Sequence, residues 1–451
     1  MISTNLKSIY RQRWMYFCAL TVCSGNLSMS MTASWTSPTL TALLQDKQSG
    51  VHKKQAAILD ALLPGGALLG GFCGWFLIDF FGRRSGNFVG GIFFLFSWTL
   101  LGSFPFLIVM YVGRILAGLA VGILYLSSGI YLAEVAPSSV RQVLFAMSQL
   151  FTNIGFLIEY LIGPYVSYGM LVYISAFPAI LYTVGVAFVE ESPYYLISKG
   201  HYYQAQESLE KLRGTKDVSI ELKAIQDAVH HTQNGRFEVL LSKQNRRALA
   251  VAVGAMVVKQ MTGGWALVSY SGPLLEQAGV PPHLGSAILG VAKLVTSVVT
   301  IFLTIKFGIK KLINVSLAGI CGTLMVLLGT FILHQENINT DCIKWLPLVV
   351  LILFYVFTDI GIGPFPSFIG AELLSQQAKG LGTLIALSVG HVFGFFTMTL
   401  IIIADWIVSL SLFTAISAAS IPFLYYYLVD TRGKSLVDLH GTLVQEVPRH
   451  V

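Results

Sequence analysis

The chain has 451 residues, of which 55% are hydrophobic and only 11% are charged, with a formal net charge of +7 and a mean hydropathy of +0.70. A soluble protein of this length needs a charged exterior, so the composition excludes a soluble globular protein. The five cysteines are an odd number and lie mostly in apolar segments, so they imply no disulfide framework.

Runs of about 20 apolar residues, long enough to cross a bilayer core of about 30 Å, follow one another along the chain. Basic residues precede the first run, as in a signal peptide, but that run continues to Trp35 without a cleavage site. We therefore predict a retained first span. The predicted spans are twelve in number and cover residues 14–36, 55–78, 87–105, 107–131, 142–163, 169–189, 248–275, 284–306, 313–333, 345–370, 381–403 and 407–428.

One long polar segment, 190–247, separates the first six spans from the last six. Its apolar residues recur at roughly helical spacing among mixed charges, which predicts two or three short amphipathic helices. His230 and His231 have no further Cys or His at ligand spacing, so we predict no metal site. The predicted domains are an N-terminal six-helix bundle in 1–189, a linker in 190–247, a C-terminal six-helix bundle in 248–428 and a tail in 429–451.

Most of the 29 basic residues fall in segments on one side of these spans. The other side keeps only Lys47, Lys53, Lys54 and Lys344. By the positive-inside rule, both termini and the linker are predicted to be cytoplasmic. The basic cluster at 243–247 is interpreted as a lipid-headgroup anchor rather than a nucleic-acid site.

Charged motifs stand at the cytoplasmic ends of the first-half spans. Asp79 precedes the Arg83-Arg84 pair, and Glu134 precedes Arg141 by seven residues. Opposite charges at helix ends must separate when that side opens, so we expect Glu134 and Arg141 to interact and to brace the inward-closed state.

The same seven-residue spacing returns in the second half, from Glu372 to Lys379. The Gly82-Arg-Arg motif likewise recurs loosely as Gly308-Ile-Lys-Lys311. Two motifs repeated at similar offsets indicate an internal duplication of six spans with parallel topology.

Taken together, the motifs resemble those of the sugar porter family of the major facilitator superfamily, over essentially the whole chain. At the end of span one, Trp35-Thr-Ser-Pro38 resembles the insect trehalose and sugar transporter branch. The resemblance implies an all-α membrane protein with twelve helices in two bundles that rock about a central solute cavity, without a cofactor. The motifs are Asp79-x-x-Gly-Arg-Arg84, Gly113-Arg114-x-x-x-Gly118, Glu134…Arg141, Glu191-Ser-Pro193, Tyr270-Ser271, Gly363-Pro-Phe-Pro366…Glu372 and Asp430-Thr-Arg-Gly-Lys-Ser-Leu436.

Two spans are interrupted at similar depth, span seven at Gly263-Gly264 and span ten between Gly361 and Pro366. Interrupted helices free backbone groups to contact a solute, so these positions predict a cavity. The family reads Q-Q-x-S-G-I-N here in span seven, and the resemblance implies that its amides bind sugar hydroxyls. The predicted substrate-binding residues are Gln149, Lys259, Gln260, Thr262, Trp265, Asp359, Ser367 and His391.

This chain departs from the family pattern inside that predicted site. Lys259 replaces the first glutamine of span seven, Trp265 replaces the asparagine, and Ser367 stands where span ten has a tryptophan. Lys259 and Asp359 are both predicted near the middle of the bilayer, where an isolated charge is costly. We expect the two to pair. The alternative is that Lys259 faces cavity water or a backbone carbonyl while Asp359 caps the broken helix. Lys293 also lies within a span, and we expect it to snorkel.

Proton-linked members of the family carry an aspartate in span one near the arginine of span four. Thr32 occupies that place here, so proton coupling by this route is not expected. The linker motif loses its usual arginine to Tyr194. The predicted gating residues are Asp79, Arg83, Arg84, Arg114, Glu134, Arg141, Glu191, Glu372, Lys379 and Asp430.

The leading hypothesis is a facilitative carrier of a hexose or a trehalose-like sugar in the plasma membrane, working by alternating access. One alternative is a sugar sensor that no longer transports. Another is a carrier of a charged or amphipathic non-sugar solute, with Lys259 as counter-ion. The sequence has no Walker-type nucleotide-binding run and no catalytic constellation, so no enzyme is predicted. The expected partners are a small solute and the lipid bilayer, with neither nucleotide nor nucleic acid.

Overall fold

The regular structure of the chain is helical throughout the part that the computed structural model describes, which is residues 12–36, 39, 53–103, 106–230, 236–269, 282–336 and 345–431. The first half contains six long helices, each matching one predicted span. They are α1 (Arg13–Ser34), α2 (Lys53–Phe80), α3 (Arg83–Ser103), α4 (Leu107–Val135), α5 (Arg141–Ile162) and α6 (Tyr168–Val186).

The linker contributes four short helices, and the second half again matches six spans. The two linker stretches with helical spacing form α8 and α9, and a helix of six residues stands on either side of them. The linker helices are α7 (Pro193–Ser198), α8 (Tyr202–Arg213), α9 (Ser219–His230) and α10 (Arg236–Leu241). The second half contains α11 (Lys243–Met261), α12 (Gly264–Ser269), α13 (Pro282–Phe307), α14 (Ile309–Gln335), α15 (Leu346–Ile360), α16 (Pro366–Leu373), α17 (Gln376–Ile403) and α18 (Trp406–Tyr427).

The prediction of twelve spans in two six-helix bundles is confirmed. Within the described residues, nine helices are long and apolar enough to cross a membrane. Spans seven and ten are each built from two consecutive helices, α11 with α12 and α15 with α16. The predicted end of span seven, 270–275, lies outside the described residues.

Small residues allow α2 and α4 to pack with their backbones in contact. A Cβ added at Gly122 would lie 2.0 Å from the carbonyl oxygen of Ala67, and one at Gly70 would lie 2.3 Å from that of Leu119. No side chain fits at such distances, so glycine is required at both positions. Close approach of this kind is the usual basis of helix packing in membranes, where lipid is as apolar as the helix surface.

The two bundles meet along α5 and α13 on one side and along α2 and α17 on the other, and α4 reaches α16 and α17 between them. The linker packs against both bundles, because α8 contacts α1 and α10 contacts α17. It has a small apolar core of its own, formed by Tyr195, Leu196, Ile197, Ala205, Leu209, Val218 and Ile225. The end of the molecule that carries the linker is called the linker side below.

Candidate functional site

Both predicted helix breaks are present and expose backbone groups inside the second bundle. Gly263 separates α11 from α12 with φ of +78°, a left-handed conformation that glycine adopts without strain. Between α15 and α16, the N–H of Gly363 donates to the carbonyl of Thr358 at 2.8 Å. The N–H of Ile362 donates to Ser316 Oγ on α14 at 3.0 Å. The breaks are therefore held by specific hydrogen bonds.

Asp359 lies at the end of α15 and is only 1% exposed. Its Oδ1 atom lies 3.5 Å from the ammonium of Lys293 on α13. From the other bundle, Asn153 Nδ2 on α5 donates to Oδ2 at 2.9 Å and Gln149 Nε2 donates to Oδ1 at 3.3 Å. One carboxylate thus connects the two bundles through α5, α13 and α15.

The expected pairing of Lys259 with Asp359 is wrong, and so is the expectation that Lys293 snorkels. Lys259 Nζ instead donates to the carbonyl of Gly363 at 2.6 Å and to Ser367 Oγ at 3.0 Å. A Cβ on Gly363 would lie 3.2 Å from Asp359 Oδ1, so Lys259 and Asp359 both approach this residue. The predicted depths of Lys259 and Asp359 were adequate, since both approach Gly363. The ammonium of Lys293, however, lies closer to the carboxylate of Asp359. The alternative is observed for Lys259, which faces a backbone carbonyl, but the Asp359 carboxylate bonds to side chains of α5 and α13 and does not cap the broken helix.

Of the other predicted binding residues, Gln260 and Thr262 lie beside the break between α11 and α12, and His391 lies on α17. Gln260 is 6% exposed and its amide lies against Gly394 of α17. Thr262 donates to the carbonyl of Lys259 within its own helix at 3.0 Å. His391 Nδ1 lies 2.7 Å from the carbonyl of Leu387, and a carbonyl only accepts, so Nδ1 carries the proton. The side chain of Trp265 lies outside the described residues.

Two of these residues, Gln149 and His391, lie where the bundles face each other. Gln149 reaches across from α5, as described above. The ring of His391 on α17 meets that of Tyr125 on α4 edge to face, with centroids 6.0 Å apart. The stacked rings of Phe145 and Phe368 join α5 to α16 with centroids 4.2 Å apart. Aromatic and amide groups of both bundles therefore line the same interior region.

On the linker side, Glu134 is the centre of a buried polar network. Arg83 donates to both carboxylate oxygens, at 2.9 and 3.0 Å, and Ser192 Oγ also donates to it. From the second bundle, Gln376 Nε2 donates to Glu134 at 2.7 Å and Lys379 Nζ lies 3.7 Å away. The network therefore closes this side by joining α4 to α17.

Arg141 does not pair with Glu134, contrary to expectation. Its Nη1 atom lies 3.9 Å from Glu372 of α16, and its Nη2 atom donates to the carbonyl of Ala136 at 3.3 Å. The arginine therefore makes a second contact between the bundles on the linker side. Bracing of the closed state remains a prediction, now with Glu134–Lys379 and Arg141–Glu372 as the pairs.

Glu191 of the linker caps the first turn of α3. It accepts the backbone N–H groups of Arg83 at 2.9 Å and Arg84 at 3.1 Å, which would otherwise lack partners at a helix N-terminus. Burial raises the pKa of this carboxyl, while the backbone donors oppose that rise.

Tyr194, which replaces the arginine of the family motif, places its ring 5.5 Å from the ammonium of Lys379. Burial raises the pKa of its hydroxyl to about 12.

The remaining predicted gating residues lie in three places. Asp79 lies near α17, since a Cβ on Gly380 would be 3.1 Å from its Oδ1 atom. Arg84 is exposed and donates to the carbonyl of Ala187, and Asp430 is exposed beside the end of α18. Arg114 is buried and donates to the carbonyl of Thr32 at 2.7 Å. It lies about 30 Å along α4 from Glu134, so it is not part of the linker-side network.

Sequence reasoning missed two residues of the interior cluster. Asn153 follows Gln149 by four residues, so the two side chains lie on one face of α5, and this spacing was a usable signal. The sequence places Lys293 within a span, but it does not indicate that Asp359 is its partner. Within the described residues, no group of three or more His, Cys, Asp or Glu side chains is arranged to hold a metal ion.

The chain is similar to known transporters over nearly its whole length. The chain is 28% identical to the facilitated trehalose transporter Tret1 of Bombyx mori over 94% of this chain and 86% of that protein. It is 30% identical to Tret1 of Anopheles gambiae over 96% of this chain and 56% of that protein.

Among solved structures, the proton:xylose symporter XylE bound to 6-bromo-6-deoxy-D-glucose matches with a TM-score of 0.83 and 20% identity. The match covers 96% of this chain and 100% of that one, and it shows a shared fold. The model of the family described as sugar (and other) transporter matches residues 24–442. The chain therefore belongs to the sugar (and other) transporter family and has the major facilitator fold.

Proposed function

We propose that this protein is a facilitative sugar carrier of the plasma membrane that works by alternating access. The observation that carries the proposal is the type of contact that joins the two bundles. On the linker side these contacts are ion pairs and hydrogen bonds, at Glu134–Lys379 and Arg141–Glu372. In the interior they are hydrogen bonds from Gln149 and Asn153 to Asp359.

Such contacts are suited to breaking and re-forming, because each polar group finds new partners when water enters. The side chains of a continuous apolar interface would find no comparable partners in water when the bundles separate. Glu134, Glu372 and Lys379 are all 3% exposed or less, so the linker side is closed in this state. Opening that side requires the pairs across the bundles to separate while Arg83 keeps Glu134 bonded within the first bundle.

The expected substrate is a hexose or a disaccharide similar to trehalose, because relatives that match nearly the whole chain are named trehalose transporters. The test is uptake of labelled D-glucose and trehalose by the full chain in proteoliposomes, without ATP or an ion gradient. Saturable uptake that stops at equal concentrations supports the carrier. Binding of either sugar without flux would instead make the protein a sensor, and neither binding nor flux would refute the proposal.

We further propose that the linker and both termini face the cytoplasm, since most basic residues flank the spans on that side. A cysteine replacing Ser219, at the start of α9, tests this orientation in intact cells. It should resist an impermeant thiol reagent until the membrane is permeabilised. Labelling from outside in intact cells would show that the linker faces the exterior, which contradicts the proposed orientation.

A further inference from the structure

We propose that the interior site selects a sugar that bears a single carboxylate, which the ammonium of Lys259 binds. The proposal rests on the proposed function, a sugar carrier, and narrows its class of substrate. It starts from the distribution of charge around Asp359 and Gly363. Lys259 and Lys293 each bring one positive charge to this cluster, and Asp359 brings one negative charge.

The carboxylate of Asp359 is fully engaged without Lys259. Lys293, Asn153 and Gln149 all contact it, and it is almost completely buried. Both partners of Lys259, a carbonyl and a hydroxyl, are neutral. Within the described part of the chain, no acidic side chain lies within ion-pair distance of Lys259. The cluster therefore retains one positive charge inside the membrane, where uncompensated charge is costly and generally has a function.

A bound monoanion would neutralise this charge, whereas a neutral solute would leave it and a dianion would overcompensate. One donor of the Lys259 ammonium remains for such a contact. An ammonium has three N–H donors, and Lys259 uses two of them, toward Gly363 and Ser367. The third is available to a ligand. Lysine acts as a compact point charge, which suits a carboxylate oxygen.

The neighbouring Gln260 supplies the second observation that points to a ligand. Its side chain is 6% exposed, and its Oε1 atom has no hydrogen-bond partner among the described residues. A buried amide oxygen of this kind is costly unless a donor reaches it. A sugar hydroxyl is such a donor. Ammonium and amide together therefore fit a ligand that has both a carboxylate and hydroxyl groups, as a hexuronate has.

The competing explanation gives Lys259 a structural role only. A cation close to the C-terminal end of α15 is stabilised by the helix dipole, and its bond to Gly363 fastens the break between α15 and α16. A purely structural lysine has no effect on the preference between charged and neutral substrates. Substrate charge is therefore the variable that separates the two explanations.

The experiment measures uptake of labelled D-glucuronate and D-glucose by the full chain in proteoliposomes, with the membrane potential clamped at zero. D-glucuronamide, which matches glucuronate in size but is neutral, serves as a competitor. We expect kcat/KM for glucuronate to exceed that for glucose by about tenfold or more, the factor for one charge-assisted hydrogen bond. Glucuronamide should compete about as weakly as glucose.

Lys259→Gln, which restores the glutamine of the family pattern, should remove this preference by lowering kcat/KM for glucuronate about tenfold or more. Lys259→Arg, which keeps the charge, should retain the preference. Lys223→Gln on the exposed face of α9 is the matched control for loss of one positive charge, and it should change neither rate.

Equal or faster uptake of glucose by the wild-type protein overturns the inference and leaves the sugar carrier intact. Effective competition by glucuronamide overturns it as well. Both of these results come from the unmodified chain, so they do not depend on whether Lys259→Gln folds. A Lys259→Gln protein that keeps the preference would assign the selection to another residue. Flux of trehalose but of neither glucuronate nor glucose would overturn the inference alone, whereas flux of none of the three would refute the proposed function itself.

Discussion

Replacing Lys293 by methionine should destabilise the protein strongly, because it removes the cation that contacts the buried carboxylate of Asp359. The two charged groups are 3.5 Å apart, which corresponds to about 5 kcal/mol at an effective dielectric constant of about 20. Removing one partner of a buried ion pair typically costs about 3–5 kcal/mol. The two figures agree, so we expect the free energy of unfolding to fall by about 3–5 kcal/mol.

The assay is thermal unfolding of the purified protein in detergent, followed by intrinsic fluorescence. For a chain of 451 residues, an unfolding entropy of about 2.1 cal/mol/K per residue converts this loss into a Tm decrease of roughly 3–5 °C. Lys306→Met, on an exposed position of the same helix α13, is the control and should change Tm by less than about 1 °C, since surface substitutions usually stay within about 0.5 kcal/mol.

The double variant decides whether the pair itself is responsible. Asp359→Asn alone should also lower Tm, because it leaves Lys293 without a counter-ion. Lys293→Met combined with Asp359→Asn removes both charges, so its Tm should lie above that of either single variant. If the two single losses simply add in the double variant, the ion pair does not act as we describe and the reasoning is wrong.

Three further predictions concern the linker side and the helix break. Glu372→Gln weakens a contact between the bundles, so a cysteine at Ala371, which is fully buried, should be alkylated about tenfold faster than in the parent, as for a loss of about 1.4 kcal/mol; an unchanged rate would count against the contact. Gly263→Ala should lower stability by about 1–3 kcal/mol because of its positive φ, and a Tm equal to that of wild type would contradict this. Glu191→Ala removes the cap of α3 and should cost about 0.5–2 kcal/mol, whereas Glu207→Ala on an exposed position should cost almost nothing.

The architecture follows from the sequence because the bilayer thickness sets the length of each apolar run. All twelve predicted spans coincide with helices, and the breaks at Gly263 and before Pro366 lie where glycine and proline predicted them. Hydropathy defines the short helices of the linker less well than it defines the spans. The two six-residue helices of the linker have too few residues to show a period, so they were not predicted.

The partners of charged residues could not be derived in the same way. Depth along a span follows from the rise per residue, and it places Lys259 and Asp359 near each other. Which of two lysines faces the carboxylate depends on how each helix is rotated and packed, and apolar runs carry little information on rotation. Lys293 therefore took the place expected for Lys259.

The error at Arg141 has a more informative cause. Within each half, an acidic residue precedes a basic one by seven positions, and this spacing suggested a pair within the half. In the structure the contacts run between the halves instead, Glu134 with Lys379 and Arg141 with Glu372. A duplication with parallel topology places equivalent motifs opposite each other across the bundle interface, so each acid meets the base of the other copy.

Polar contacts between the two halves are present in the interior site as well as on the linker side. Gln149, the amide that the family resemblance assigns to sugar binding, is engaged here with Asp359 of the other bundle, as is Asn153. A substrate that takes a hydrogen bond from Gln149 therefore competes with a contact that holds the bundles together. In the carrier that we propose, substrate binding and bundle separation would draw on the same donor atoms, so a bound substrate would loosen the interior contact between the bundles directly.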